Sequence, residues 1–247
     1  LFKIGVLIQK YKFMVTTIDA PSEAAFCLDD EIGFVSLIQS VGDDAMIVNS
    51  ARVSFGKKID TVEEKDKKLL RFLLEHSHGT PLEHTCLTFL VKCPLFVARQ
   101  WHRHRVGISI NEISGRYVEV KDEFYIPKTF RQQSKSNRQA SVESEFSDEV
   151  SKLMAENYTA AIEESFDRYK KLLDLGVARE QARGVLPLCS YTQYYWTCNL
   201  RSLFHFVKLR DHADAQWEIQ QYAKIMLEQA KKYFPVTISV WEELGRP

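Results

Sequence analysis

Arg103-His104-Arg105-Val106-Gly107-Ile108-Ser109-Ile110-Asn111-Glu112-Ile113-Ser114-Gly115-Arg116-Tyr117 packs three arginines, a histidine, a glutamate and two candidate phosphate-binding serines into fifteen residues. It directly follows an apolar run, Thr85 to Lys92 and then Leu95 onward, that reads as buried. An unpaired buried guanidinium costs several kcal/mol, comparable with a domain's whole net stability, so these arginines pair internally or await an anionic ligand. Glu112 alone cannot neutralise them. Planar, permanently charged arginine forks suit phosphate, and Ser109, Ser114 and the backbone at Gly115 add further donors. An internal salt-bridge network is the bland alternative.

The composition makes this charge local. With 33 basic and 33 acidic residues the formal net charge is zero, so no global field draws the chain toward nucleic acid or an anionic membrane. At 247 residues and 45% apolar content the chain can bury a substantial core, and no apolar run approaches the roughly 18 residues of a membrane span. Five cysteines without Cys-x-x-Cys spacing argue against a disulfide framework or zinc ribbon and for reduced thiols in a cytosol-like compartment. Leu1 to Gln9 are too short and wrongly flanked for a signal peptide.

Around the quoted stretch, Gly33 to Ile38 and Ala45 to Val48 read as short apolar segments bracketing a turn at Val41. Thr61-x-x-Glu64 reads as a capping box opening a helix over 61 to 77, which Gly79 and Pro81 stop. Thr85 to Lys92 reads as a strand, and Leu95 to Arg105 as a helix with Gln100, Arg103 and His104 on one face. Thr129 to Asp148 is polar, a loop or lid. Ser147 caps a long helix that Gly176 ends, and further helices are expected over 178 to 185, 199 to 210 and 213 to 233. A sheet is expected in the first half and around 117 to 127. The sum is an α+β fold: a helix-rich single domain over 29–247 with a central, mainly antiparallel sheet, preceded by an N-terminal extension, 1–28.

A second basic group, Arg183, Arg201 and Arg210, sits among apolar neighbours, where arginines project into clefts or simply meet solvent. Two other chemistries compete. His76-x-His78 and His102-x-His104, with His84 between and Glu83 or Glu112 to complete a set, resemble metal-hydrolase ligands, but i and i+2 point apart on a helix. Trp101-His-Arg-His-Arg has nucleic-acid-binding residue types without an extended basic stripe. Nucleophilic catalysis lacks a Gly-x-Ser-x-Gly elbow or a Cys/His signature, and no dinucleotide-binding Gly-x-Gly-x-x-Gly occurs.

Arg103-His104-Arg105, eight intervening residues and Ser114, with Asn111-Glu112 and Arg116-Tyr117, resemble the signature of the flavin-dependent thymidylate synthases. Three residues separate Arg105 from Ser109, a spacing the family pattern admits. Ala51 to Phe55, His78 to His84, Phe96 to Trp101, Ala182 to Pro187, Asn199 to Leu203 and Ala215 to Gln221 resemble further family blocks in the family's order. The resemblance implies a methyltransferase making dTMP from dUMP, with methylenetetrahydrofolate as one-carbon donor and NADPH as reductant through FAD. It implies dUMP contacts from Gln100, Trp101, His102, Arg103, Glu112, Ile113, Ser114, Gly115, Arg116, Arg183 and Arg210, with Arg210 catalytic and Ser114 donating to phosphate. It implies FAD contacts from Thr80, Arg103, His104, Arg105, Glu112, Asn199, Leu200, Arg201 and His205, with Ser54 and His78 more peripheral. It further implies a cytoplasmic homotetramer with shared sites, no resident metal, and neither nucleic acid nor membrane as partner.

Overall fold

The computed structural model describes residues 18–138, 140–143 and 146–247, so Leu1 to Gln9 lie outside the described residues. Five strands form one antiparallel sheet: β1 (Ala25–Phe26), β2 (Phe34–Val41), β3 (Cys86–Pro94), β4 (Ile108–Glu112) and, far along the chain, β7 (Tyr191–Cys198). Their order is β1-β2-β3-β7-β4. A separate ribbon pairs β5 (Gln132–Gln133) with β6 (Ser141–Val142). Helices α1 (Asp44–Arg52), α2 (Glu64–Glu75), α3 (Leu95–Trp101), α4 (Asp148–Asp174), α5 (Arg179–Ala182), α6 (Leu200–Arg210), α7 (Trp217–Lys231) and α8 (Pro235–Glu243) complete an α+β architecture.

β3 lies between β2 and β7, and its Leu87, Phe89, Leu90, Val91 and Cys93 are almost wholly enclosed. A strand covered on both faces reads as a near-continuous apolar run, broken here by Thr88 and Lys92. β7, rich in Tyr, Thr and Trp, fills the slot between β3 and β4. Trp196 from β7 meets Trp101 from α3 and Phe206 from α6 in an aromatic cluster behind the sheet. Residues 18–28 pack onto the same body: Cys27 and Leu28 join the core, and the Gln193 amide bonds both backbone groups of Ile18.

Several sequence expectations shift. The second apolar segment, Ala45 to Val48, is helical, because Asp43 accepts the Met46 N–H at 2.7 Å and starts α1. The capping box is Glu63 with Asp66 rather than Thr61 with Glu64. Asp66 both returns to the Glu63 N–H at 2.8 Å and holds Arg52 at 2.5 Å, which sets the start of α2. Residues 117 to 127 form no strand; the segment crosses the start of β7 with a single bridge, Phe124 to Ser190, and sends Phe124 and Tyr125 into the core. The strand there is β4, inside the quoted cationic stretch.

The helix from Leu95 ends at Trp101, so Arg103 and His104 follow it in a turn instead of sharing its face with Gln100. Ser147 and Gly176 bound α4 as expected, Gly176 at φ +85°. Pro235 starts α8, whose Val236 and Thr237 N–H groups bond the Asp44 carboxylate at 2.8 Å each.

Candidate active site

The two ends of β4 open onto different clefts. Ile108 and Glu112 stand about 14 Å apart along the strand. At the Glu112 end, Glu112, Ile113, Ser114, Gly115 and Arg183 line a cavity of about 400 Å³. At the Ile108 end, Arg103, His104, Arg105, Asn199, Arg201, His205 and Arg210 line a cleft of about 790 Å³. Arg201 also borders a third cleft, of about 570 Å³, with Ser54, His78 and Thr80.

Local backbone explains both walls. At Ser114 the chain turns, its carbonyl accepting from the Tyr117 and Val118 N–H groups at 2.9 and 3.1 Å. A β-carbon at Gly115 would stand 3.3 Å from the Arg183 side chain, so the small residue admits that arginine to the wall. Ser114 Oγ accepts from the Arg116 N–H at 3.3 Å, while the Arg116 guanidinium turns outward to Glu180 at 3.2 Å. Glu112 accepts from Thr192 Oγ1 at 2.5 Å across the β4–β7 pair.

In the larger cleft Gly107 has φ +68°, and a β-carbon there would lie 2.7 Å from Ser202 Oγ. Ser202 in turn donates to the Val106 carbonyl at 2.8 Å, and Asn199 caps α6 by accepting the Ser202 N–H. Arg210, the last residue of α6, donates through Nε to His104 Nε2 at 2.9 Å and through Nη2 to the Gln100 carbonyl at 3.3 Å. Burial, with the charges of Arg210 and His205 adding to it, pushes the His104 pKa down to about 4, so the ring is neutral at ordinary pH. Burial also lowers the pKa of Arg210.

Not every expected contact lies on a cleft. Trp101 is fully enclosed, stacked on Phe206 at 4.8 Å, and its side chain offers a ligand no surface. The Leu200 side chain is likewise enclosed, and its N–H donates to Thr85 Oγ1 at 2.9 Å. The His102 ring packs edge-on against Tyr194, and the Gln100 amide bonds Gln216. Burial of Trp101 and Leu200 is a tertiary outcome their motif positions do not reveal. Conversely, sequence reasoning missed Lys92, which lines the smaller cavity and pairs with Glu123 at 2.9 Å. A lone charge inside an apolar strand was its signal.

The model of the family described as thymidylate synthase complementing protein matches residues 36–236. The chain belongs to that family. A flavin-dependent thymidylate synthase of Thermosipho africanus is 49% identical over 209 residues, spanning 85% of this chain and 90% of that one. One from Thermus thermophilus is 47% identical over 211 residues, spanning 85% and 76%. Among solved structures, a UMP/dUMP methylase from Streptomyces cacaoi bound with 5-Br dUMP superposes with a TM-score of 0.77 at 36% identity, over 86% of this chain and 95% of that one.

The 790 Å³ cleft carries four arginines, Arg103, Arg105, Arg201 and Arg210, against one acid, Glu83, which pairs with Arg201. That donor excess suits a diphosphate. Among the described residues, no group of three or more His, Cys, Asp or Glu is placed to hold a metal ion, and no helix is long and apolar enough to cross a membrane.

Proposed function

We propose that the protein is a flavin-dependent thymidylate synthase, methylating dUMP to dTMP with methylenetetrahydrofolate as carbon donor and NADPH as reductant through FAD. The observation that carries the reading is the pair of clefts at the two ends of β4, one holding the Ser114–Gly115–Arg183 wall among mixed charges and the other the arginine cluster. Family membership and the likeness to a methylase bound with a dUMP analogue support it.

Arg103, Arg105 and Arg201 would hold the FAD diphosphate, with Thr80 and His78 at the adjoining cleft. Bound FAD supplies the reducing equivalents that the transferred carbon needs to become a methyl group. The chain's own residues bind, orient and stabilise charge. Ser114 Oγ, the Gly115 backbone and Arg183 receive the nucleotide phosphate. Arg210 would face the uracil ring, where a fixed positive charge stabilises the ionised, enolate-like pyrimidine that must form before C5 takes up carbon. The proposed chemistry uses no enzyme nucleophile; in keeping with that, Ser114 has no base bonded to its hydroxyl among the described residues, and burial raises the thiol pKa of Cys27, Cys93, Cys189 and Cys198.

The dUMP residues divide between clefts, Gln100 and Arg210 toward one and Ser114, Gly115 and Arg183 in the other. This supports a site assembled from different copies in a homotetramer. Five free thiols fit a reducing, cytoplasmic setting.

The test is product formation by the FAD-loaded protein with NADPH, methylenetetrahydrofolate and dUMP, followed by chromatography for dTMP. Omitting folate or FAD abolishes product if the reading holds. Mixing Arg183→Ala with Arg210→Ala chains after dissociation and reassembly recovers activity if sites are shared, and recovers none if each chain carries its own.

A further inference from the structure

We propose that neutral His104 is the positioning residue of Arg210, aiming its guanidinium while leaving its charge uncancelled; this rests on the function proposed above. The hydrogen bond from Arg210 Nε to His104 Nε2 is 2.9 Å, so Nε2 is the acceptor and the ring proton resides on Nδ1. The second pinned donor, Nη2, goes to the Gln100 carbonyl. Both acceptors are uncharged. Among the described residues no carboxylate forms an ion pair with Arg210, and the cleft's one acid, Glu83, pairs with Arg201.

A guanidinium has five N–H donors, so two bonds fix its plane and leave three for a ligand. A carboxylate in the place of His104 would orient the fork equally well but spend its charge before the pyrimidine arrived. The imidazole can hold a direction because it is itself held. It is 7% exposed, packed edge-on to Phe206 at 5.0 Å and beside His205 at 5.7 Å. Its surroundings are cationic, with Arg103, Arg105, Arg201 and Arg210 on the same cleft, so the ring remains an acceptor and does not become a competing donor.

The experiment compares His104→Ala, His104→Gln, Arg210→Ala and the double variant His104→Ala/Arg210→Ala, each folded by thermal melting and assayed at saturating FAD with flavin content measured. Glutamine places an amide oxygen near the imidazole Nε2. We expect His104→Ala to lose about tenfold or more in turnover with a smaller change in KM for dUMP, His104→Gln to recover most of it, and His104→Ala to add no loss in the Arg210→Ala background. Equal losses in both backgrounds at matched flavin content, or no recovery by glutamine, would overturn the role. Nitrogen-15 NMR of the imidazole supplies a reading independent of turnover. An unprotonated Nε2 signal that persists in the wild type from pH 5 to 8 and shifts in Arg210→Ala supports the pairing, and a protonated Nε2 overturns it. A protein that shows this signature but makes no dTMP would refute the proposed function and leave the pairing standing.

Discussion

Arg201 lies directly on Gly79: a β-carbon at position 79 would stand 2.5 Å from its Nε and 2.7 Å from its Cδ. Glycine is required there for space, since the backbone at φ −79° suits any residue. Arg201 walls two of the clefts, so its placement is tied to the smallness of a residue more than a hundred positions earlier.

Gly79→Ala therefore displaces the guanidinium without disturbing the core, because Arg201 is exposed and can swing away. We expect stability to stay within about 1 kcal/mol of wild type, with markedly weaker flavin retention. Melting curves and the flavin absorbance left after desalting measure the two effects. Full retention would show that FAD does not depend on where Arg201 sits.

Ser114→Ala should keep appreciable turnover while raising the KM for dUMP if, as proposed, its hydroxyl donates to phosphate and attacks nothing. Losing one hydrogen bond to a charged group costs about 1.5–3 kcal/mol. Steady-state kinetics decide it, and a serine-linked nucleotide caught by mass spectrometry would reverse the assignment.

Asp44 is 6% exposed and accepts two backbone N–H groups at the start of α8. Asp44→Ala leaves both unpaired and should cost about 2–4 kcal/mol, with Asp44→Asn intermediate because its amide offers one acceptor oxygen. Urea unfolding midpoints test the order.

The depressed His104 pKa makes stability depend on acidity. The unfolded chain takes up this proton near pH 6.5 and the folded chain only near 4. The contribution is fully present above 6.5 and falls away as pH drops through that window, on the order of 3 kcal/mol in all. Unfolding free energies at pH 7 and 4.5 should differ more for wild type than for His104→Gln, which has no proton to bind.

The long helix was legible because Ser147 and Gly176 are local signals, and β3 because its apolar run needs no partner to be recognised. β7 was not. Its Thr192, Gln193 and Thr197 interrupt the apolar pattern, and it becomes a strand by fitting between β3 and β4. The cationic residues were readable from motif spacing, yet their division between two clefts was not, since that follows from β4 lying at the sheet edge with its ends facing apart. Enclosure of Trp101 and Leu200 likewise depends on which elements pack over them.

Trp101 sits between Gln100, whose carbonyl holds Arg210, and the Arg103–Arg105 turn, and it shares a cluster with Trp196 at 6.0 Å. Indole emission overlaps flavin absorption, so these two rings form a built-in optical donor pair behind the cleft wall. Arrival of a flavin should dim the protein's own fluorescence, allowing cofactor loading to be followed in real time without any attached label.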